Sequence, residues 1–104
     1  MENKSIILGS IKKNILGLIP GAEIVLFGSR ARNDYHQESD WDILILTNEK
    51  VTQGLKRQVS DKLFYTGLEH EICINTLVIN KEDWEGKFKH YPMHAEIEKE
   101  GMLI

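Results

Sequence analysis

The sequence contains few of the features that mark secreted or membrane-spanning proteins. Cys73 is the one cysteine among 104 residues, so no internal disulfide can form. No apolar run approaches the roughly 20 residues that span a bilayer. The apolar stretch 5–8 is soon interrupted by Lys12 and Lys13, which is unlike a signal peptide. We therefore expect a cytoplasmic protein without a membrane association, with Cys73 as a small core residue in an apolar strand.

Basic residues are also too few for an extended nucleic-acid surface. The 13 lysine and arginine residues are outnumbered by 16 aspartate and glutamate residues, giving a formal net charge of −3. A long channel for nucleic acid requires the opposite balance. A length of 104 residues suffices for one hydrophobic core but leaves no room for a second lobe. The composition predicts a single domain over residues 1–104 that acts on a small ligand or a protein.

The common phosphate-binding and nucleophile motifs are missing from the sequence, which excludes P-loop, Rossmann and α/β-hydrolase chemistry.

Residues 28–32, with the sequence Gly-Ser-Arg-Ala-Arg, follow the apolar run 22–27. Gly28 ends that predicted strand where a side chain would obstruct a ligand. Ser29 is a good N-cap for a short helix whose free backbone N–H groups would face an anion. Arg30 and Arg32 add positive charge, and the sequence leaves open which of them faces the ligand.

Two carboxylates come shortly after this turn. Asp40 and Asp42 follow Ser39 and directly precede the apolar run 43–46. In a strand, residues two apart point to the same face, so both carboxylates should converge while Trp41 points into the core. Two like charges held this close repel each other unless a cation lies between them. An all-oxygen site of this kind suits Mg²⁺ or Mn²⁺ rather than zinc.

Hydrophobic periodicity predicts an alternation of helices and strands along the whole chain. The predicted helices cover residues 3–18, 50–68, 81–84 and 92–99, with a short one at 30–32, and the predicted strands cover 22–27, 41–47 and 72–79. Residues 33–38 read as a polar loop. The predicted fold class is therefore α/β (α+β), a small mixed sheet of about three to four strands with helices packed against it.

At residues 28–42 the chain resembles a known family. The order Gly-Ser, Arg-Ala-Arg, a short loop and Ser-Asp-x-Asp before an apolar run is similar to the signature of the DNA polymerase β-type nucleotidyltransferase superfamily. The size and the Gly-Ser-Arg-Ala-Arg variant resemble the minimal nucleotidyltransferases that are often paired with a HEPN-domain toxin. The full string is specific, whereas Gly-Ser or Asp-x-Asp alone carries little weight.

The resemblance implies roles for individual residues. Asp40 and Asp42 match the carboxylate pair that holds two Mg²⁺ ions for in-line attack at the α-phosphorus of ATP. Ser29 matches the residue that binds the β and γ phosphates, with Gly28 giving clearance. Ser39 is included as a further nucleotide-binding residue, and Arg30 or Arg32 would neutralise the leaving pyrophosphate.

Family members usually add a third acidic residue from a later strand, as metal ligand or as base. The candidate here is Glu71, at the start of the predicted third strand. An aspartate deeper in that strand would be more typical of the family, and the position there is Asn75, which binds metal poorly. Glu71 as a plain exposed residue remains an alternative.

The resemblance therefore implies an Mg-dependent nucleotidyltransferase that moves NMP, most readily AMP from ATP, onto a hydroxyl acceptor. If the chain acts as the toxin-paired enzymes do, it is the antitoxin that AMPylates a tyrosine of a HEPN partner. A catalytically weak or inactive module that neutralises its partner by contact is the first alternative. Transfer to a small molecule is the second alternative.

Overall fold

Five helices and four strands make up the part of the chain that the computed structural model describes, residues 3–32 and 39–104. The predicted polar loop 33–38 lies outside these residues. In chain order the elements are α1 (Lys4–Leu18), β1 (Glu23–Phe27), α2 (Ser29–Arg32), β2 (Trp41–Thr47), α3 (Gln53–His70), β3 (Ile74–Asn80), α4 (Lys81–Glu85), α5 (Pro92–Glu100) and β4 (Met102–Leu103).

The four strands form one mixed sheet in the order β3-β2-β1-β4. Strand β2 runs antiparallel to β1 and parallel to β3, and β4 pairs antiparallel with the outer side of β1. The predicted fold class, a small mixed sheet with packed helices, is confirmed. Residues 43–47 of β2 are buried on both faces, which explains why this strand reads as a continuous apolar run instead of an alternating one.

Helices cover both faces of the sheet. On one face α1 and α3 pack against alternate residues of β1 and β2, and this core also holds Trp41. On the other face α4 and α5 pack against Leu44, Leu46 and Ile79, and this core holds Trp84. Because Asp42 lies two residues before Leu44 in β2, its side chain belongs to the face covered by α4 and α5. None of the described helices is long and apolar enough to cross a membrane.

Helix starts follow local capping chemistry. The side chains of Asn3, Thr52 and Asn80 accept backbone N–H hydrogen bonds at the starts of α1, α3 and α4. Each of these bonds satisfies a donor that the first helical turn leaves unpaired. Pro92 occupies the first turn of α5, where its missing N–H costs nothing.

The region between α3 and β3 differs from the sequence prediction. Helix α3 continues to His70, and Glu71 forms its C-cap in the left-handed conformation, at φ 57°. Strand β3 begins at Ile74, so the predicted start near residue 72 is wrong. Cys73 precedes the strand and is exposed, so its prediction as a core residue is also wrong. The sequence analysis did not predict strand β4, which depends on pairing with the distant Val25 and Leu26.

Candidate active site

Two carboxylates meet an amide at the start of the central strand. The side-chain nitrogen Nδ2 of Asn75 donates to Oδ2 of Asp40 at 3.0 Å and to Oδ1 of Asp42 at 3.1 Å. Asn75 is the direct partner of Asp42 in the parallel β2–β3 pairing, which places the amide beside the acids. A single donor group that reaches both carboxylates shows that their side chains converge. The structure thus brings Asp40 and Asp42 to one point.

The glycine-serine turn lies against the same point. Gly28 has a φ of +74°, a conformation that residues with a Cβ rarely adopt. A Cβ built on Gly28 would overlap Oδ2 of Asp42, so the backbone of the turn contacts the carboxylate directly. The carbonyl of Gly28 accepts hydrogen bonds from the N–H groups of Ala31 and Arg32, which begins the short helix α2. The two halves of the sequence motif therefore meet in space.

The two arginines of the turn lie on different sides of it. Arg30 is only 1% exposed and packs its guanidinium 4.5 Å from the ring centroid of Trp41. Its Nε and a terminal nitrogen donate to the carbonyl of Ser39 at 3.2 and 2.9 Å. Since Ser39 directly precedes Asp40, Arg30 holds the start of the acidic segment from the core side.

Arg32 lies on the opposite side, towards α5. Its side chain is partly exposed and forms an ion pair with Glu100, with Nη1 at 3.2 Å from Oε2. Together with Gly28, Phe27 and residues of α5 it lines a pocket next to the turn. Of the two arginines, Arg32 thus shares a pocket with the turn, while Arg30 is buried against Trp41.

Glu71 is not brought to the carboxylate pair. It ends α3 three residues before β3 begins, and its backbone N–H bonds back to the helix. Within residues 3–32 and 39–104, no three carboxylate, imidazole or thiol groups are arranged to hold a metal ion. The expected start of the third strand at Glu71 is therefore corrected, and Asn75 occupies the position beside the acids.

The donor set at this point fits a hard divalent cation. Asp40 and Asp42 supply carboxylate oxygens, and the Asn75 amide also carries an oxygen that a rotation of its side chain would present. Oxygen donors of this kind are the ligands that Mg²⁺ and Mn²⁺ prefer. In the structure the amide N–H group contacts both acids and so offsets part of their mutual repulsion.

Sequence reasoning missed two participants. Asn75 was noted as a poor ligand, but its contact with both acids follows only from the parallel register of β2 and β3. Glu100 had no local signal, because it reaches Arg32 across 68 residues of sequence.

Comparison with known proteins gives a consistent result. Residues 6–103 match the model of the nucleotidyltransferase domain family. Two curated relatives from Methanocaldococcus jannaschii are each named "Putative protein adenylyltransferase". MJ0141 is 34% identical over 72% of this chain and 78% of the relative, and MJ0604 is 31% identical over 99% of this chain and 97% of the relative.

Solved structures share the fold at low sequence identity. A toxin-antitoxin structure with AMP-PNP superposes with a TM-score of 0.65 at 18% identity, covering 91% of this chain and 69% of that chain. Two mutants of the toxin-antitoxin MntA-HpeT give TM-scores of 0.60 and 0.59 at 16% and 18% identity. These two matches cover 98% and 100% of this chain, and 72% of each of those chains.

Proposed function

Because the chain belongs to the nucleotidyltransferase domain family, a family of enzymes, we propose that it transfers AMP from ATP to a hydroxyl group of a partner protein. The observation that carries this proposal is the contact between the Gly28 turn and the Asp42 carboxylate. The reaction needs a phosphate-binding turn and a metal-binding acid pair within one nucleotide's reach. We assign these two roles to the turn after β1 and to Asp40 and Asp42, which lie beside each other.

Asp40 and Asp42 are proposed as ligands of two Mg²⁺ ions, with Mn²⁺ as a substitute. When bound, the metal supplies charge neutralisation at the α-phosphate and at the attacking and leaving oxygens. The acids themselves are held for this task by the central strand and by Arg30, which fixes the carbonyl of Ser39. Glu71 is not included in this ligand set, and the position beside the acids belongs to Asn75.

The triphosphate is proposed to bind at the turn. Gly28 gives the backbone clearance, and the hydroxyl and N–H of Ser29 are hydrogen-bond donors to phosphate oxygens. Arg32 lies on the pocket side of the turn, where it forms an ion pair with Glu100. On nucleotide binding it would leave Glu100, pair with a phosphate and so neutralise the leaving pyrophosphate. Arg30 acts by positioning Ser39 and Asp40 and does not itself contact phosphate.

The partner is proposed to be a toxin with a HEPN domain whose tyrosine hydroxyl accepts AMP. Support comes from the similarity to structures of toxin-antitoxin proteins, one of them with AMP-PNP, and from the adenylyltransferase names of the two archaeal relatives. The acid pair is accessible, since Asp40 is exposed and Asp42 is only half-buried. Such an open site suits a protein acceptor that completes it.

A second candidate function is neutralisation of the partner by contact alone. The observation that favours it is Asn75, because an amide beside the acids cannot take a proton from the acceptor hydroxyl. In this case the fold and the partner surface would persist without turnover.

The test combines α-labelled ATP, Mg²⁺, the purified protein and a candidate HEPN-domain partner, sought in the adjacent open reading frame. We expect label on the partner, added mass of one AMP at a tyrosine, and loss of the partner's ribonuclease activity. The Asp40→Asn, Asp42→Asn double variant should lose label transfer by at least about 10²-fold, as removal of an essential electrostatic element does. Asp61→Asn, which removes one carboxylate charge from an exposed site on α3, is the control for charge removal away from the site.

Two outcomes would contradict the proposal. Label transfer that persists in the double variant would reject Asp40 and Asp42 as the metal ligands. Full silencing of the partner by the double variant, with no added mass, would instead favour the contact mechanism.

A further inference from the structure

An open pocket adjoins the proposed phosphate turn on the face of the sheet covered by α5. It has a volume of about 160 Å³ and is lined by Phe27, Gly28, Arg32, Met93, Glu96, Ile97 and Glu100. Gly28 belongs both to this pocket and to the turn that contacts Asp42. The pocket therefore lies next to the residue that contacts the acid pair.

The register of the sheet orients the pocket towards the acids. Phe27 and Asp42 are direct partners in the antiparallel β1–β2 pairing. Side chains at paired positions lie side by side on one face of the sheet. The apolar lining of the pocket thus begins beside the carboxylate that would hold the metal.

The pocket has two chemically different parts. Phe27, Met93 and Ile97 form an apolar floor, which suits the face of a planar ring. Glu96 and Glu100 stand at the rim as carboxylates, and Arg32 pairs with Glu100 at 3.2 Å. Ionised carboxylates only accept hydrogen bonds, so the rim suits a ligand that carries N–H or O–H donors.

From these features we propose that the α5 pocket binds the nucleoside of the triphosphate substrate, with its base on Met93 and Phe27 and with a nucleoside donor on Glu96. This inference rests on the proposed function and deepens it, because it assigns the part of the site that selects the nucleotide. The acidic rim also fixes the direction of binding. Phosphates are repelled from Glu96, whereas the charge of Glu100 is balanced by Arg32, so the phosphate tail lies at Ser29 and Arg32 while the nucleoside extends towards α5.

The experiment measures the contribution of the nucleoside separately from that of the phosphates. Dissociation constants for ATP and for inorganic tripolyphosphate are determined by calorimetry in Mg²⁺ for the full chain. We expect the full chain to bind ATP at least about tenfold more tightly than tripolyphosphate. Met93→Ala should reduce this ratio about tenfold, since ring contact with the floor is lost. Glu96→Gln should reduce it about threefold, and tripolyphosphate binding should stay unchanged in both variants.

Glu98→Gln is the matched control, because it removes the same charge from the same helix outside the pocket. Its side-chain oxygen still accepts the indole N–H of Trp84, as Glu98 does at 3.2 Å. We expect an unchanged ratio for this variant. Glu96→Gln is an exposed change, so it tests the proposal even if Met93→Ala unfolds the protein.

Two nucleotide analogues identify which group of the nucleoside donates a hydrogen bond to Glu96. If the donor is the base amino group, purine riboside triphosphate, which lacks that amino group and has no other N–H donor on its base, loses affinity in the full chain but not in Glu96→Gln. If the donor is the ribose 2′-hydroxyl, 2′-deoxy-ATP instead loses affinity in the full chain but not in Glu96→Gln. Either result supports the pocket.

The proposal is overturned if both pocket variants keep the full-chain ratio, or if they weaken ATP and tripolyphosphate equally. Such a failure leaves the proposed function intact, because label transfer to the partner is measured independently. A normal ratio without any label transfer would overturn the proposed function and keep the pocket.

Discussion

At the scale of single residues, Gly28 links backbone conformation to the chemistry of the site. Glycine is favoured at position 28 for two separate reasons, the φ of +74° and the contact with Asp42. Gly21 shares only the first reason, because its φ is +85° but a Cβ added there would meet open space. Gly28→Ala and Gly21→Ala should each lose about 1–3 kcal/mol of unfolding free energy in urea from the strained conformation. Gly28→Ala should in addition weaken Mn²⁺ binding at least about tenfold, because the methyl group displaces the Asp42 carboxylate. Equal Mn²⁺ affinities for the two variants by calorimetry would contradict this.

Asn75 is the second residue that determines the properties of the site on its own. Asn75→Asp would place a third carboxylate beside Asp40 and Asp42, which adds an oxygen ligand for a cation and a like charge in its absence. We expect Mn²⁺ affinity to rise about tenfold and the urea midpoint without metal to fall. Asn48→Asp, an identical change at an exposed position just after β2, should alter neither quantity appreciably.

Weaker Mn²⁺ binding by Asn75→Asp would have a clear meaning. It would show that the amide is required to orient the two acids, and that the site is built around a neutral third residue.

At the scale of elements, the start of β2 is held in place by α2. Arg30 extends from α2, packs on Trp41 and donates twice to the carbonyl of Ser39. Arg30→Met keeps most of the packing volume and removes the donors, so we expect a loss of about 1–3 kcal/mol in unfolding free energy. Metal affinity should fall with it, since Asp40 follows Ser39. Arg57→Met on the exposed side of α3 is the control, and equal urea midpoints for the two variants would contradict the role of Arg30.

The elements also show which structural signals are local. The bounds of β2 were predicted as found, because an apolar run flanked by polar residues determines a buried strand. The end of α3 was not predicted correctly. Glu71 adopts the left-handed conformation there, a conformation that glycine or asparagine usually occupies at a helix end. The β-branched residues around Cys73 then read as strand. Strand β4 required Gly101 and the pairing with β1, which are tertiary features.

The candidate site divides in the same way. The convergence of Asp40 and Asp42 follows from strand periodicity, and the clearance at Gly28 from its lack of a side chain. Arg30 and Arg32 point to different sides because both belong to the short helix α2. In a helix, side chains two residues apart do not share a face. The partners Asn75 and Glu100 come from distant segments, so only the folded chain reveals them.

At the scale of the whole molecule, the two tryptophans report on the two sides of the sheet. Trp41 lies in the core under α1 and α3, and Trp84 lies in the core under α4 and α5. Both cores share the central strand β2, so we expect them to unfold together. Trp41→Phe and Trp84→Phe each leave one fluorophore, and the two urea transitions should coincide with each other and with circular dichroism, after allowance for the stability that each substitution removes. A separate early transition in the variant that retains Trp84 would instead show that α4 and α5 detach first.

The two ends of the sheet are built unequally. Strand β4 offers two residues to any neighbour, whereas β3 offers seven, with the sequence Ile-Asn-Thr-Leu-Val-Ile-Asn and no charge or proline among them. Long uncharged outer strands are templates for a further strand, and short ones are poor templates. If another chain adds a strand to this sheet, we therefore expect it to pair with β3 and not with β4. Because Asn75 belongs to that strand, a chain added there would lie one strand away from Asp40 and Asp42, and we expect its binding to alter the metal affinity.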